Sequence, residues 1–598
     1  MNAPCPAARI LPVLALTLAT LRSQALEVTA HSFGFDGTAV PGRMSLLSIQ
    51  IANPSSQPYD QIVSVSSSGP MGGTTGVRQD VEVFLAPGAS RWVQVPVLCD
   101  PASFLDGSFL VEWDLNSPFR GSLAIDPPLP GAPATVFLED AGNPLAARPR
   151  LHSFDENLWP TALEPAAEGL HAVVLDHAPH WEAIREQVFL DWLKLGGTLH
   201  LLNGADDKPP VFSGALSVLN DPAASFRVGV GRVWRHEVRA AKLRPESLEQ
   251  VAGTAPRLPR EDVEKNQQPP QGDCNNLDQT VFDALRNHIR PRHAWGLITL
   301  VLLAYVLLIG PGTTILARRW KNSRSTLLYF FAVVAGASAL IFWIGRRGYG
   351  ESTRCLSITH ARHVEGDGRV AVRQWMHVFS TNGRRFSLQH PVKPAWFHNQ
   401  SRERIRGAFQ GGVDGRFTVD MPVFSSVDYM VGGYRDLPAF KPVLRRNRGR
   451  VGGLELDEAA SELPPGTLAV YAVTADETVV ELKGIGYPVL NFAQERLVNS
   501  WTRTSLANPQ DFGGAPAPQV VPAFSQLALA LVFDLAAPNQ FHRTRLLPGT
   551  GGAGSLRVFA IAPAPPGLGP VNAEFSSHEG LVLHEARIAP PPTPEARP

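Results

Sequence analysis

Two long apolar stretches without charged residues constrain this chain more than any other feature of its sequence. They run from Ala294 to Ala317 and from Ser325 to Gly345, 24 and 21 residues without an Asp, Glu, Lys or Arg. As helices rising about 1.5 Å per residue they would extend about 36 and 31 Å, enough to cross a hydrocarbon core about 30 Å thick. Buried helices of soluble proteins are rarely so long and so apolar. The sequence therefore predicts two membrane-spanning helices.

The short segment between these stretches, residues 318–324, sets the predicted topology. It carries four positive charges and no acid: Arg318, Arg319, Lys321 and Arg324. Short basic loops stay on the cytoplasmic side of a membrane. Basic residues also flank the outer ends of both stretches, which weakens the charge bias without reversing it. We therefore predict a hairpin with a cytoplasmic loop and both large flanks on the opposite side.

The first 25 residues predict export. A single Arg9 precedes an apolar run from Ile10 to Leu21, and small residues stand at positions 23 and 25, so a secretory signal peptide would be cleaved after Ala25. The alternative is a retained N-terminal anchor, because the positive region is thin. Together with the hairpin, this segment predicts a bacterial inner-membrane protein whose two flanks are periplasmic.

The overall charge balance excludes one class of function. The chain has 598 residues with 54 Lys+Arg and 54 Asp+Glu, so it is not a globally basic nucleic-acid binder. The expected partners are the membrane and envelope proteins, with no nucleic acid. Beyond the predicted signal peptide lie Cys99, Cys274 and Cys355, whose spacing matches no zinc or redox motif. One disulfide or free buried thiols are both compatible with this count.

The region 26–130 has the alternating pattern of strands with one buried face. Leu47, Ile49 and Ile51 are separated by Ser48 and Gln50. The phrase Val83-Phe84-Leu85-Ala86-Pro87-Gly88, followed by an alternating segment from Trp92, resembles the paired strands of immunoglobulin-like sandwiches in bacterial surface proteins. We predict a β-sandwich over 26–130.

The region 131–240 changes period and predicts an α/β domain. Unbroken apolar runs cover 135–138 and 172–175, as in strands buried on both faces. Apolar residues at helical spacing then extend from Trp181 to Leu193, Gly196-Gly197 ends the helix, and a strand follows over 198–202. This order is a βαβ unit of a parallel sheet, and the segment Phe226–Trp234 is expected to add one edge strand.

A family resemblance rests on two of these segments. The segment Phe189–Leu199 looks like the helix, Gly-Gly, strand signature of glutamine-amidotransferase-like α/β domains in large uncharacterised bacterial membrane proteins. The segment Tyr305–Pro311, with Arg318-Arg319 after it, is similar to a span of the same proteins. The resemblance implies an envelope protein with a signal peptide, an immunoglobulin-like region, a flavodoxin- or amidotransferase-like domain and a transmembrane hairpin.

Catalytic chemistry finds little support in the sequence. An amidotransferase needs a cysteine on a tight turn after a strand, whereas residues 176–179 read Asp-His-Ala-Pro. The sequence contains no Gly-x-Cys-x-Gly, no Gly-x-Ser-x-Gly and no phosphate loop. We therefore predict no catalytic residue, no cofactor and no metal site. Asp176, His177 and His180 remain the candidate ligand-binding residues, at the end of a strand where open α/β sheets bind ligands, with a polar helix-capping loop as the alternative.

The remaining segments complete the predicted organisation. Residues 241–276 read as a linker, and 277–293 as a juxtamembrane amphipathic helix lying on the membrane through Phe282, Leu285 and Ile289. Residues 348–589 predict one or two periplasmic, β-rich sandwich domains, and 590–598 a disordered proline-rich tail.

A non-enzymatic scaffold or interaction protein of the envelope is the function this organisation favours. Two alternatives stay open at this point. One is a periplasmic ligand-binding receptor or hydrolase using the α/β crevice, and the other is an accessory subunit of an export complex.

Overall fold

The computed structural model shows a chain built mainly from β-strands, with few helices. It describes residues 26–40, 43–68, 77–99, 108–115, 120–131, 133–140, 151–161, 169–242, 281–283, 285–286, 295–320, 322–348, 353–364, 368–399, 405–413, 415–447, 454–473, 479–483, 489–490, 556–571 and 577–588. The predicted signal peptide, nearly all of the linker, the proline-rich tail and Cys274 lie outside these residues.

The first region is entirely β. Its strands are β1 (Glu27–Phe33), β2 (Thr38–Ala39), β3 (Arg43–Ala52), β4 (Tyr59–Ser68), β5 (Val77–Leu85), β6 (Ser90–Cys99), β7 (Ser108–Trp113), β8 (Gly121–Ile125) and β9 (Leu129–Pro130). An antiparallel sheet β1-β3-β6 packs face to face on β5-β4-β7-β8, and β2 pairs with β9. The apolar alternation of β3 supplies the shared core, in which Leu47, Ile49 and Ile51 are buried.

The opposite face of β3 differs from the prediction of a half-polar, solvent-facing strand. Ser48 on this face is buried, and so are Met44 and Leu46. The reason is tertiary: Leu46 packs into the core of the neighbouring α/β sheet and Met44 into that of the C-terminal sheet. Gln94 of β6 likewise donates to the carbonyl of Leu158 in the α/β region at 2.7 Å. Polar side chains on this face serve as contacts between sheets.

The second region is a mixed six-stranded sheet with one long helix. Its elements are β10 (Ala134–Glu139), β11 (His152–Asp155), a 3-10 turn (Glu156–Leu158), β12 (Leu170–Leu175), α1 (Ala183–Lys194), β13 (Thr198–Asn203), a 3-10 segment (Gly214–Asn220), β14 (Ser225–Val228), β15 (Gly231–Arg239) and a 3-10 turn (Ala240–Lys242). The strand order is β11-β10-β12-β13-β15-β14, and every pair is parallel except β14–β15. The predicted βαβ unit is present as β12-α1-β13.

The single edge strand predicted over Phe226–Trp234 is instead a hairpin. The chain turns at Gly229, whose φ of +60° favours glycine, and β14 and β15 pair on either side. Gly231 is needed for packing, because a Cβ there would clash with the carbonyl oxygen of Leu193 at the end of α1. Phe226, Val228 and Val230 alternate with other residues through the turn, so the local sequence pattern resembles a single strand.

The two apolar stretches form helices long and apolar enough to cross a membrane, over Thr299–Trp320 and Ser323–Phe342. The first consists of α2 (Trp295–Leu307), a π-helical turn (Leu308–Gly312) around Pro311, and α3 (Thr313–Trp320); the second is α4 (Ser323–Gly348). The phenol of Tyr329 on α4 lies 3.4 Å from the carbonyl of Leu308, where proline has interrupted the regular helical bonding. The helices are therefore antiparallel neighbours.

The C-terminal region is again β. Its strands are β16 (Arg354–His363), β17 (Arg369–Ser380), β18 (Arg384–Gln389), β19 (Lys393–Asn399), β20 (Arg406–Gln410), β21 (Arg416–Met421), β22 (Ser425–Asp436), β23 (Leu444–Arg446), β24 (Leu454–Leu456), β25 (Ala469–Val473), β26 (Val479–Lys483), β27 (Val489–Leu490), β28 (Leu556–Pro563) and β29 (Ser577–Ile588). A nine-stranded sheet has the order β19-β22-β17-β16-β29-β28-β25-β26-β27, and β23 pairs with β24. The apolar segment 524–535 lies outside the described residues.

One sheet joins the regions before and after the helices. β20 pairs in parallel with β5, so that β18-β21-β20 extends the N-terminal strands into a seven-stranded sheet, β18-β21-β20-β5-β4-β7-β8. The register places Gly407 opposite Val77 and Gln410 opposite Asp80. The division predicted from sequence between 26–130 and 348–589 therefore runs through a single hydrogen-bonded sheet.

The segment before the first apolar helix corrects another prediction. Residues 281–283 and 285–286 are helical, but Phe282 and Leu285 are fully buried among residues of the nine-stranded sheet, including Trp375. Arg286 donates to the buried carboxylate of Asp428 on β22. The apolar face of this amphipathic helix is thus covered by protein and not by a membrane surface, while Ile289 lies outside the described residues.

Candidate functional site at the carboxyl ends of three parallel strands

Acidic and histidine side chains gather where β10, β11 and β12 end. These strands are parallel neighbours in the order β11-β10-β12, so their carboxyl ends share one edge of the sheet. Asp140 directly follows β10, Glu156 follows β11, and Asp176 and His177 follow β12. Ligand sites of open α/β sheets lie outside this edge.

The side chains at this edge are in direct contact. His177 donates from Nδ1 to the Asp176 carboxylate at 2.9 Å, and its Nε2 lies 3.3 Å from Oε2 of Glu156. The backbone N–H of His180 donates to the same Glu156 oxygen at 3.3 Å. One ligand atom each from Asp140, Glu156 and His180 lies within 4.8 Å of the others. Five polar side chains from three strand ends therefore form one cluster.

The surrounding sequence fixes Glu156 in place. It begins a 3-10 turn capped by Asp155, whose carboxylate accepts from the N–H of Asn157 at 2.9 Å. The indole of Trp181 donates to the Glu156 carbonyl at 2.9 Å, and its ring stacks on Trp159 with centroids 5.3 Å apart. Glu156 is only 2% exposed. The stacked rings of Trp159 and Trp181 form an aromatic wall, and this wall helps to hold the buried carboxylate of Glu156 at the edge of the sheet.

Electrostatics favour the charged form of His177. Burial lowers its pKa, but the hydrogen bond to Asp176 and the charges of Asp176, Glu156 and Asp140 outweigh burial, so the pKa lies above its usual value. The cluster thus concentrates negative charge around a histidine. An introduced cation would experience the same attraction.

The chemistry available here is that of cation binding. Two carboxylates and one imidazole, Asp140, Glu156 and His180, are a donor set used for divalent transition metals. The Asp176–His177 pair has the form of an oriented base, but the second ring nitrogen of His177 faces Glu156 and not a hydroxyl or thiol. The geometry supports binding more directly than nucleophilic catalysis.

The structure brings the three candidates from the sequence together in a cluster that contains further residues. Asp176, His177 and His180 are joined through Glu156, which the sequence analysis missed along with Asp140. Asp140 lies two residues after the strand predicted over 135–138, so the rule that ligands bind at strand ends could have found it. Glu156 follows β11, whose four residues include only one strongly apolar side chain, Phe154, and give no strand pattern.

Three other histidines lie away from this edge of the sheet. His171 lies at the opposite end of β12, where burial lowers its pKa. His360 lies in the nine-stranded sheet with its Nε2 2.8 Å from Glu585, and His363 has its Nε2 3.0 Å from Nδ1 of His584. None of these three joins the strand-edge cluster.

The cysteines and the arginines of the predicted cytoplasmic loop lie outside the strand-edge cluster. Cys99 and Cys355 are buried free thiols, and burial raises the pKa of Cys99 to about 12, which makes it a poor nucleophile. Arg318 and Arg319 occupy the last turn of α3, and the side chain of Asn322 accepts from the N–H of Arg324 at 3.1 Å as α4 begins. Lys321 lies outside the described residues.

Comparisons with known proteins add little. No protein-family model matches the chain, and no curated protein matches it. Among solved structures, a cycloisomaltooligosaccharide glucanotransferase from Paenibacillus sp. shares 14% identity over 25% of this chain and 20% of its own, with a TM-score of 0.14. The C-terminal domain of wzt shares 8% over 18% of this chain and 75% of its own, also with a TM-score of 0.14. A β-glucuronidase of glycoside hydrolase family 2 shares 10% over 30% and 22%, again at 0.14. The chain thus spans about a fifth of the two enzymes' lengths, and TM-scores this low carry no argument about function.

Proposed function

We propose that this protein is a membrane-anchored, non-enzymatic scaffold or interaction protein of the bacterial envelope, with both large flanks on the periplasmic side of the inner membrane. The observation that supports it best is the parallel pairing of β5 with β20, since these strands stand before and after the apolar helices. Strands that share hydrogen bonds must occupy one compartment. Two helices between them that cross a membrane must therefore form a hairpin.

Side-chain contacts across the hairpin support the same arrangement. Gln79 on β5 donates to the carbonyl of Phe397 at 3.3 Å, and Gln410 on β20 donates to Glu82 at 2.7 Å. The two flanks would act as a single rigid β-rich platform held at the membrane. Such a platform suits the presentation of binding surfaces to other envelope proteins.

We infer that the chain is similar to the uncharacterised envelope proteins with an amidotransferase-like α/β domain. The β12-α1-β13 unit supports this, together with its Gly-Gly stop: Gly196 has a φ of +122°, and a Cβ at Gly197 would clash with the ring of Trp192. In this interpretation the domain has kept its scaffold without a nucleophile, and the first sheets are immunoglobulin-like.

Thiol labelling of the full chain tests the topology. We would compare Val211→Cys, before the helices, Asn322→Cys, between them, and Val413→Cys, after them, in a Cys5→Ser and Cys274→Ser background; all three target positions are exposed. A membrane-impermeant maleimide applied to intact cells should label positions 211 and 413 and should reach position 322 only after lysis. Labelling of position 322 in intact cells would contradict the hairpin. Labelling of only one of the positions 211 and 413 would contradict it as well.

Co-purification tests the scaffold itself. The full chain purified in mild detergent should carry a reproducible partner protein in a fixed ratio. An Arg78→Cys, Ala408→Cys pair, whose positions are direct neighbours on β5 and β20, should form a disulfide that leaves this ratio unchanged. Failure to recover a partner would contradict the scaffold, and absence of the disulfide would contradict the joined sheet.

A second candidate function is cation binding in the α/β crevice, which the cluster of Asp140, Glu156 and His180 favours. Calorimetric titration of the purified full chain with Mn²⁺ and with Zn²⁺ should show one saturable site. Glu156→Gln should abolish it because the buried central carboxylate loses its charge, whereas Glu182→Gln, at an exposed position before α1, should not. Equal binding by all three proteins would exclude the cluster as the site.

A further inference from the structure

One turn of the C-terminal region exposes apolar side chains. Between the end of β21 at Met421 and the start of β22, Val423 is 58% exposed and Phe424 63% exposed. Phe424 has a φ of +55°, a left-handed conformation that a bulky residue rarely adopts. The hydroxyl of Ser425 donates to the carbonyl of Pro422 at 2.8 Å and helps to fix the turn. Strained residues of this kind tend to mark functional positions.

The second apolar helix connects to the same end of the molecule. α4 ends at Gly348, and Thr353 is only five residues further on, within about 18 Å of chain. The hydroxyl of Thr353 lies 3.3 Å from that of Thr381, in the turn between β17 and β18. A Cβ on Gly383 in this turn would lie 2.9 Å from Cγ2 of Val423. A continuous set of contacts therefore connects the end of α4 to the exposed apolar turn.

The first apolar helix starts from this end as well. Arg286 bonds to Asp428, which is three residues after Ser425 on β22 and so about 10 Å from the turn. Trp295, the first residue of α2, is nine residues beyond Arg286, a reach of at most about 32 Å. The second helix of the hairpin thus joins the β-sheets of the two flanks, the β-body, close to the exposed turn, and the first helix begins within about 42 Å of that turn.

The charges around this end suit lipid headgroups. Arg354 opens β16, and Arg384 and Arg385 open β18. Aromatic side chains and arginines together are typical of the membrane–water interface. A partner protein would have to fit between this end and the bilayer, so lipid is the occupant that the short connections favour.

We propose that Val423 and Phe424 insert into the interface of the leaflet from which the hairpin enters, giving the β-body a third contact with the membrane. This rests on the proposed function to the extent that the two helices must cross a membrane. The chemistry recognised is that of a lipid surface: acyl chains by the two apolar side chains and phosphates by the arginines.

Phe84 provides a matched control at the far end of the same sheet. It is 58% exposed, close to the exposure of Phe424. β5 begins at Val77, opposite Gly407 on β20, and the neighbouring Arg406 pairs with Asp420 on β21, so Val77 lies at the end that carries the turn. Phe84 is seven residues along the strand, about 24 Å away. It should remain in water.

The test uses the full chain in phospholipid vesicles, with an environment-sensitive fluorophore on a single introduced cysteine in the Cys5→Ser, Cys274→Ser background. At Phe424→Cys, emission should shift to the blue and be quenched by lipids spin-labelled near the headgroup. At Phe84→Cys, neither change should occur. A probe at Phe331→Cys, exposed on α4, should be quenched by lipids labelled deep in the acyl chain.

These probes separate the two proposals. Quenching at 331 with water-like emission at 424 would overturn the membrane contact and leave the hairpin intact. Absence of quenching at 331 would overturn the hairpin and the contact together. Equal quenching at 424 and 84 would also overturn the proposal, because exposure alone would then account for the signal.

Discussion

Glu156 and Glu585 are both buried acids, yet they lie in opposite settings. Glu585 lies within β29, where Arg557 of the neighbouring strand donates to it at 2.9 Å and Arg587 lies 3.5 Å away. His360 completes its surroundings, with Nε2 at 2.8 Å. Arginine keeps its charge at every relevant pH, so this carboxylate is permanently compensated.

Glu156 lies instead at a strand end, beside groups whose charge can change. It contacts the ring of His177 and the backbone N–H of His180, with Asp140 nearby. Histidine changes its charge near neutral pH, so the balance at this edge depends on conditions. The cluster around Glu585 therefore stabilises the fold, whereas the cluster around Glu156 is suited to binding.

The largest expected loss of stability comes from removing the arginine that neutralises the buried Glu585. Burial raises the pKa of Glu585, but Arg557, His360 and Arg587 outweigh it and hold the pKa well below its usual range. Arg557→Met should cost about 3–5 kcal/mol of unfolding free energy, because a buried charge loses its main partner. Denaturant unfolding of the full chain in detergent measures this. Lys483→Met, which breaks an exposed ion pair with Glu458, should cost at most about 1 kcal/mol, and equal losses would contradict the distinction.

The nine-stranded sheet should also lose stability in mild acid. Burial, together with the charge of His363, lowers the pKa of His584 to about 3. Below about pH 6.5 the histidine of the unfolded chain binds a proton, whereas buried His584 in the native state stays neutral. The stability that His584 contributes is therefore fully present above pH 6.5 and is lost as the pH falls. Over two pH units the loss should be about 2 kcal/mol. His584→Phe should make the unfolding free energy fall less steeply between about pH 6.5 and 4.5, and an unchanged slope would show that His584 does not contribute.

Sequence patterns predicted those elements that are covered by segments adjacent to them in the chain. The apolar run at 172–175 and the helical spacing before Gly196 are explained by a sheet and helix adjacent in sequence. The helix at 281–286 was predicted from its apolar face, but such a face looks the same whether lipid or a sheet covers it. The pairing of Val77 with Gly407 joins residues far apart in the chain, and no local period specifies that register.

The strength of the local strand pattern also determines which residues of the site are predictable. Asp176 follows a strand with a clear apolar run, so its position at a sheet edge could be inferred. Glu156 follows a strand of four residues that is defined by its parallel pairing with β10, which only the folded chain shows. Polar clusters at sheet edges are predictable only as far as their strands are.

A smaller effect is expected at Glu156. Glu156→Gln keeps an acceptor for the N–H of His180 but removes the charge beside His177, so the loss should be about 1–2 kcal/mol, near the value of one hydrogen bond to a charged group. Denaturant unfolding of the same preparation measures it. Because the bond from Trp181 goes to the backbone carbonyl, the aromatic wall should persist, and its near-ultraviolet circular dichroism should not change. A loss as large as that of Arg557→Met would place Glu156 among the structural acids.

The smallest effect concerns pH, with a sign opposite to that at His584. Because the pKa of His177 is raised in the native state, its charged form adds stability that is fully present below about pH 6.5 and is lost as the pH rises through the raised value. The wild type should therefore lose up to about 1 kcal/mol on the alkaline side of neutrality, and His177→Asn should not. The histidine ring resonances should titrate above the usual value in the wild type and move back towards it in Asp176→Asn, which removes the hydrogen-bonded carboxylate charge. A His177 that titrates below its usual value would show that burial dominates at this edge, and the contrast with the compensated acid of the nine-stranded sheet would then disappear.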